Sequence, residues 1–276
     1  MKKATRDYLY SDLPKTRRAA FFDRLKMDPW RFVGLGAILL LFASPLLLFM
    51  GASDFAISRV DLNEEAAKET LFSLRFYRSL LLVPLGMIFS LGIAGVNRIL
   101  RQECWDEPVF FWSDFFRGIK NGYAEALCQS FLIGLLLFLR ALGDLWQIYP
   151  SLVSGILFGI IAFAVFPASF HSLCLSQIYS ISVFRCFRGG YTAYFHSFLG
   201  TLAVAIAFVA PLMLDWIPSL LLRYIGFAVV IFFYLPLVMF ASFLYALSVY
   251  DPLINQKDYL ELLKKGIYPD EDKSNH

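Results

Sequence analysis

Charge is scarce in this sequence. Only 17% of its 276 residues are Asp, Glu, Lys or Arg, less than a water-soluble domain normally carries. Histidine is rarer still, at three. His171 and Cys174 share a helix face at i, i+3, and His196 opens a later apolar run. His-x-x-Cys without a neighbouring acid is a poor metal pattern, so no metal site is expected, and a helix-end histidine bonded to a carbonyl is the better reading. The four cysteines, Cys104, Cys128, Cys174 and Cys186, form no Cys-x-x-Cys pair. None falls in a segment expected outside the cell, which argues against a disulfide framework. The sequence contains no Gly-Lys-Ser/Thr phosphate loop, Gly-x-Ser-x-Gly elbow or His-Glu-x-x-His. The acids near the apolar runs sit at their ends, so a paired-carboxylate mechanism has no obvious members. These absences argue against an enzyme and imply no cofactor.

Apolar residues make up 58% of the chain, with a mean hydropathy of +0.61. Runs of about 18 or more apolar residues recur, each long enough to cross a bilayer as a helix. The fold class this predicts is all-α: a polytopic membrane bundle of about six transmembrane helices with interfacial amphipathic helices. The spans read as 32–50, 79–97, 124–142, 151–171, 197–214 and 219–250. Helical character continues past the fourth span to 184, and 185–196 reads as an amphipathic connection. Three regions follow: a basic N-terminal arm (1–31), the six-span domain (32–250) and a C-terminal tail (251–276). The arm holds nine Lys/Arg but no compact apolar core ending in a cleavage site, so it reads as a retained cytoplasmic arm, not a signal peptide. Its Phe21, Phe22 and Leu25 form an apolar patch suited to a lipid interface, and Asp28-Pro29 is a fitting start for the first span.

Positive charge is asymmetric. With both termini inside, 19 Lys/Arg lie on the inner side and 6 on the outer, which predicts a multi-pass membrane protein oriented N-in and C-in. The outer turns at 143–149 and 214–218 are too short for a folded domain, whereas the outer loop 51–78 is acidic, with Asp61, Glu64, Glu65 and Glu69.

Residues 103–123 organise the rest. On a helix, Trp112, Phe115, Phe116, Ile119 and Tyr123 fall within one arc, opposite Ser113, Asp114, Arg117, Lys120 and Asn121. Asp106-Glu107-Pro108 would start that helix, with acids at its positive end. The expectation is a helix lying flat on the membrane with the rings as anchors. Its polar face, Asp114, Arg117, Lys120 and Asn121, either is a docking face for a partner or meets lipid headgroups. Phe116-Arg117-Gly118-x4-Tyr123 recurs 71 residues later as Phe187-Arg188-Gly189-x4-Tyr194. This is either a repeated helical hairpin or coincidence in a chain with 29 Phe. Pro45, Pro84, Pro167, Pro211 and Pro236 lie inside spans and should kink them. Polar groups within spans are few. Arg140 and Arg223 lie near the outer surface, close enough to snorkel, and Asp144 can pair with Arg140. Gln129, Ser130, Ser176 and Gln177 add inward polarity suited to interhelical hydrogen bonds.

The stretch Leu91-Gly-Ile-Ala-Gly-Val-Asn-Arg-Ile-Leu-Arg-Gln-Glu103 resembles the signature of the YesL-like family of bacterial membrane proteins. Phe111-Trp112-Ser113-Asp114-Phe115 with Lys120-Asn121 is similar to that family's next elements. Pro167, the Thr201 region and the tail from Tyr250-Asp251 to Lys265-Gly266 extend the likeness. The chain departs at Gly122, where an aromatic often follows the Lys-Asn pair. The resemblance implies an inner-membrane protein associated with carbohydrate ABC-transport systems, with ABC-transporter subunits as partners and no catalytic residues. The expected function is a non-catalytic accessory or interaction protein. The alternative is a transporter or permease subunit moving a small solute such as an oligosaccharide. Glu125-Ala126-Leu127 lacks the second alanine and the glycine of an ABC permease loop, which counts against that alternative. A transporter should show a polar cavity at mid-membrane, an accessory protein an apolar middle.

Overall fold

The computed structural model describes residues 13–61 and 66–268. The expected Glu64 and Glu65 of the outer loop, residues 1–12 of the arm, and the end of the tail with His276 lie outside the described residues. Helix dominates, and no strand occurs among the described residues. The elements are α1 (Arg17–Met27), α2 (Pro29–Ser58), α3 (Ala67–Trp105), α4 (Phe111–Leu145), α5 (Ser151–Ile178), α6 (Val183–His196), α7 (Phe198–Trp216) and α8 (Leu220–Asp258). Six of them, α2 to α5, α7 and α8, are long and apolar enough to cross a membrane. Their outward faces carry exposed Leu48, Leu152, Leu199 and Leu221, as lipid-facing helices do. The chain is an integral membrane protein with an all-α bundle.

Local sequence explains the joints. The Thr16 hydroxyl accepts from the Ala19 N–H and caps α1. Asp28 accepts from the Arg31 N–H with Pro29 in the first turn of α2, as the sequence led one to expect. The helix α3 stops at Asp106, whose φ of 59° is left-handed and releases the chain into the turn before α4. The prolines act differently from one another. Pro45 and Pro84 sit inside continuous α-helix. Pro167 and Pro236 each follow a π-helical turn, Ile161–Val165 and Val230–Tyr234. A wider turn there relieves the clash between the proline ring and the carbonyl one turn back. Pro211 lies in the 3-10 turn Ala210–Trp216 that ends α7.

One expectation fails. The 103–123 stretch is not a separate surface helix, because α4 runs unbroken from Phe111 to Leu145. Its 35 residues span about 52 Å at 1.5 Å per residue, well beyond the roughly 30 Å of bilayer hydrocarbon. The first turns of α4 pack lengthwise on the end of α3. The buried face is Asp114, Phe115, Gly118, Gly122, Glu125 and Ala126, a stripe of small and polar residues spaced three and four apart. The Phe115 ring lies directly over Gly95, where any Cβ would strike it, and a Cβ on Gly118 would sit 2.5 Å from the Arg98 Cβ and 3.0 Å from the Ala94 carbonyl oxygen. Phe115 is therefore core, 1% exposed, and not an interfacial anchor. Trp112, Phe116 and Tyr123 form the exposed face, and Ile119 is half-buried.

The core lies toward the end of the bundle that carries Leu13 and Tyr268. Leu35, Leu39, Ile99, Leu100, Phe115, Phe240, Phe243, Leu247 and Tyr250 are fully buried there. The arm joins them: Ala20 is buried, and the Phe21 ring stacks on Phe240 at 5.5 Å. The expected lipid-facing patch is thus mostly packed against protein, with Phe22 left exposed. The 185–196 connection forms its own amphipathic helix, α6. Gly190 of α6 approaches the Ala168 carbonyl oxygen of α5 so closely that a Cβ would lie 2.5 Å from it. The repeated Phe-Arg-Gly motif thus opens two helices that cross a predecessor through glycine, although the closest glycine is Gly118 in one and Gly190 in the other.

The crossing predicts that Gly118→Leu destabilises the fold by about 1–3 kcal/mol through overpacking. Thermal unfolding in detergent should show a lowered midpoint; an unchanged midpoint would contradict the close crossing.

Candidate functional site

Many of the charged residues are gathered and paired at the end where α1 meets the segment up to Tyr268. Arg17 of α1 donates to Asp251 at 2.9 Å and to the Lys265 carbonyl at 2.5 Å. Arg24 pairs with Asp106 at 2.6 Å, and Arg31 pairs with Asp28 and Glu103. Glu107 receives Lys265 at 2.7 Å and Arg101 at 3.3 Å. Both cations also meet the Trp105 ring, the Arg101 guanidinium at 4.6 Å and the Lys265 ammonium at 4.3 Å from its centre, a cation–π arrangement. The Tyr268 N–H closes the set on the Pro14 carbonyl. Arm, tail and the α3–α4 turn thus form one ion-paired clasp.

Beside the clasp is a cleft of about 450 Å³ between the ends of α3, α4, α5 and α6. Arg98, Arg101 and Lys120 bring positive charge to it, and Asn121, Glu125, Ser176, Gln177 and Ser180 line the rest. Arg101 is fixed: its guanidinium donates to the Gln177 carbonyl at 3.0 Å, a cation at the negative end of α5. Gln177 in turn donates to the Gly118 carbonyl at 3.2 Å, and a side chain at Gly122 would collide with its amide. Arg98 makes no hydrogen bond or ion pair among the described residues, and its Nε is buried without a partner, as are Glu125 Oε2 and Gln177 Oε1. Burial, then the Glu125 charge, pushes the Cys186 thiol up to about 12, so it lines the cleft as an un-ionised, unreactive thiol. Burial likewise raises the Tyr179 hydroxyl, which donates to Asn255 at 2.5 Å.

Deeper along α4 and α5 runs a polar seam. Glu125 Oε1 accepts from Gln129 at 2.6 Å and from Ser172, and Ser169 donates to Gln129 at 2.7 Å. All four are buried. On its far side, near the middle of the bundle, is a cavity of about 390 Å³. Its walls include Phe89, Ile93, Phe170, Phe208, Ile231 and Leu235, with Gln129, Ser169, Ser130, Ser90 and Tyr234 as the polar members.

The expected site residues are dispersed by this geometry. Lys120 and Asn121 face the cleft and Arg117 is exposed, close enough to Arg98 for the two charges to repel. Asp114 is buried, because its carboxylate turns back to accept the Phe110 N–H at 2.7 Å and caps α4; it belongs to no docking face. Arg140 donates to Ser154 at 2.9 Å, lies over Phe158 and pairs with Asp144 at 3.7 Å, as its spacing suggested. Arg223 pairs with Asp54 at 3.6 Å and donates to the Ile217 carbonyl. Both arginines hold the opposite end together and stand apart from the cleft. Gln129 is interhelical glue. His171 bonds the Tyr250 and Thr201 hydroxyls at 3.0 and 3.2 Å, and no three His, Cys, Asp or Glu side chains converge among the described residues. Arg98, Arg101, Glu125, Ser169 and Ser172 were missed; Arg98-x2-Arg101 and Glu125-x3-Gln129, each pair on one helix face, were the signals that could have found them.

Asp251 also accepts from Asn255 and the Lys264 N–H, so Asp251→Ala should undo the clasp. Losing a charge-assisted bond worth about 1.5–3 kcal/mol raises the open population by roughly ten- to a hundredfold. Tryptic cleavage after Arg24 should accelerate accordingly; an unchanged rate would show that the clasp does not hold the arm.

Comparison with protein-family models, with curated proteins and with solved structures finds no match to this chain.

Proposed function

We propose that this chain is a non-catalytic interaction subunit of the bacterial cytoplasmic membrane, with both termini in the cytoplasm, and that it meets its partner through the end that carries the clasp. The observation that supports this most is the character of the bundle's middle. The 390 Å³ cavity there is walled by Phe, Ile and Leu, and no charged residue lines it. An oligosaccharide path needs hydrogen-bonding walls to replace water, so the permease alternative loses support. The Lys/Arg bias, 19 against 6, supports the orientation. The resemblance to the YesL-like family supplies the setting, association with a carbohydrate ABC-transport system and its subunits. Arg117, with Trp112 and Phe116 beside it on the exposed face of α4, is the surface offered to such a partner, since aromatic and arginine side chains dominate interface energetics.

Reporter fusions at each terminus test the orientation: both should report a cytoplasmic location, and one on the outer side would contradict it. Affinity purification from native membrane tests the partner. ABC-transporter subunits should co-purify in near-stoichiometric amount with the wild type and fall at least fivefold with Arg117→Glu. Equal recovery from both would count against this surface.

A further inference from the structure

We propose that the basic cleft is a binding site for a phosphate ester of a polyol, its phosphate held by Arg98, Arg101 and Lys120 and its hydroxyls by Glu125 and Gln177. This goes beyond the partner reading and uses different side chains.

Three cations converge on one volume against a single lining carboxylate. Arg101 is held in place by Gln177, Glu107 and Trp105, whereas Arg98, within the fields of Asp114 and Glu107, has its Nε buried without a hydrogen-bond partner among the described residues. A fixed guanidinium beside one with an unmet N–H is suited to an oxyanion that accepts several hydrogen bonds. A free phosphate would leave much of the cleft empty, since 450 Å³ is within the roughly 300–1,000 Å³ of sites for whole small molecules. The rest of the wall indicates what the phosphate carries. Glu125 Oε2 and Gln177 Oε1 are buried acceptors with no donor, and leaving such atoms unmet is costly. Hydroxyl groups would supply the donors. Glycerol and sugar phosphates meet both requirements, and so does the headgroup of phosphatidylglycerol. Choline or ethanolamine headgroups bring a cation toward the arginines and do not. Basic pockets among membrane helices take anionic headgroups on the same electrostatic basis.

The test uses the full chain purified in detergent, with binding followed by calorimetry and native mass spectrometry. Glycerol 3-phosphate, phosphatidylglycerol in mixed micelles, inorganic phosphate, glycerol and phosphatidylcholine are the probes. Glycerol 3-phosphate or phosphatidylglycerol should bind at least tenfold tighter than glycerol and phosphatidylcholine. Arg98→Gln combined with Lys120→Gln should lose at least tenfold of that affinity while keeping the wild-type elution profile. Lys120→Gln alone, at an exposed position, serves if the double variant does not fold, and should lose several-fold. Binding confined to the lipid arm assigns the ligand to the bilayer, and binding confined to the soluble ester assigns it to the cytoplasm; either supports the proposal. Inorganic phosphate binding as tightly as the esters would overturn the polyol part. No binding in either ester arm, or binding that the variants leave unchanged, would overturn the whole.

Discussion

Helices α3 and α4 lie side by side because glycine removes what would hold them apart. At Gly95 the missing side chain leaves room for the Phe115 ring, and at Gly118 it lets the backbone approach the Ala94 carbonyl. Gly122 completes a Gly-x3-Gly face and makes space for the Gln177 amide. Small residues are how apolar helices approach when lipid is as oily as they are. The close crossing brings Arg98, Lys120 and Glu125 to one cleft. It also carries the α3–α4 turn to the arm and tail, so that Asp106 and Glu107 meet Arg24 and Lys265. Clasp and cleft both follow from it.

Much of the little polarity in this molecule is placed in series along α4 and α5. The clasp is ionic, the cleft is cationic with open acceptors, the seam is hydrogen-bonded internally, and the mid-bundle cavity is mostly apolar. Glu125 joins two of these: it lines the cleft and anchors the seam. A carboxylate buried at 2% exposure stays only where donors meet it, and Gln129 and Ser172 meet one of its oxygens. Its other oxygen has no hydrogen-bond partner among the described residues.

The spans were legible because about eighteen apolar residues in a row permit little else. Four of the six expected segments fall within the observed helices, the fifth and sixth start one residue early at Ser197 and Ser219, and Asp28-Pro29 begins α2 as its chemistry demands. The 103–123 stretch was misread for a physical reason. Periodicity shows that a helix has two faces, but not what each face rests on. Five bulky side chains drew attention as the buried face, whereas the buried face is built on Gly118, Gly122 and Ala126 around the single ring of Phe115. Small residues register poorly in a hydrophobic pattern, because what they contribute is closeness. Asp114 was misplaced similarly, since a carboxylate on a polar arc can turn inward to cap its own helix. The cleft was half visible, in Lys120 and Asn121. Arg98 and Arg101 come from the preceding helix, and only the antiparallel crossing unites them.

The continuity of α4 carries all of this. Spin labels at Trp112→Cys and Leu139→Cys, both exposed positions, in a Cys128→Ser background, measure it by pulsed dipolar spectroscopy. A straight helix places the two backbones about 40 Å apart at 1.5 Å per residue. A helix lying flat on the bilayer and turning inward at Tyr123 places them about 29 Å apart. A distribution centred near the longer distance is the expected result, and one centred near the shorter would contradict the account.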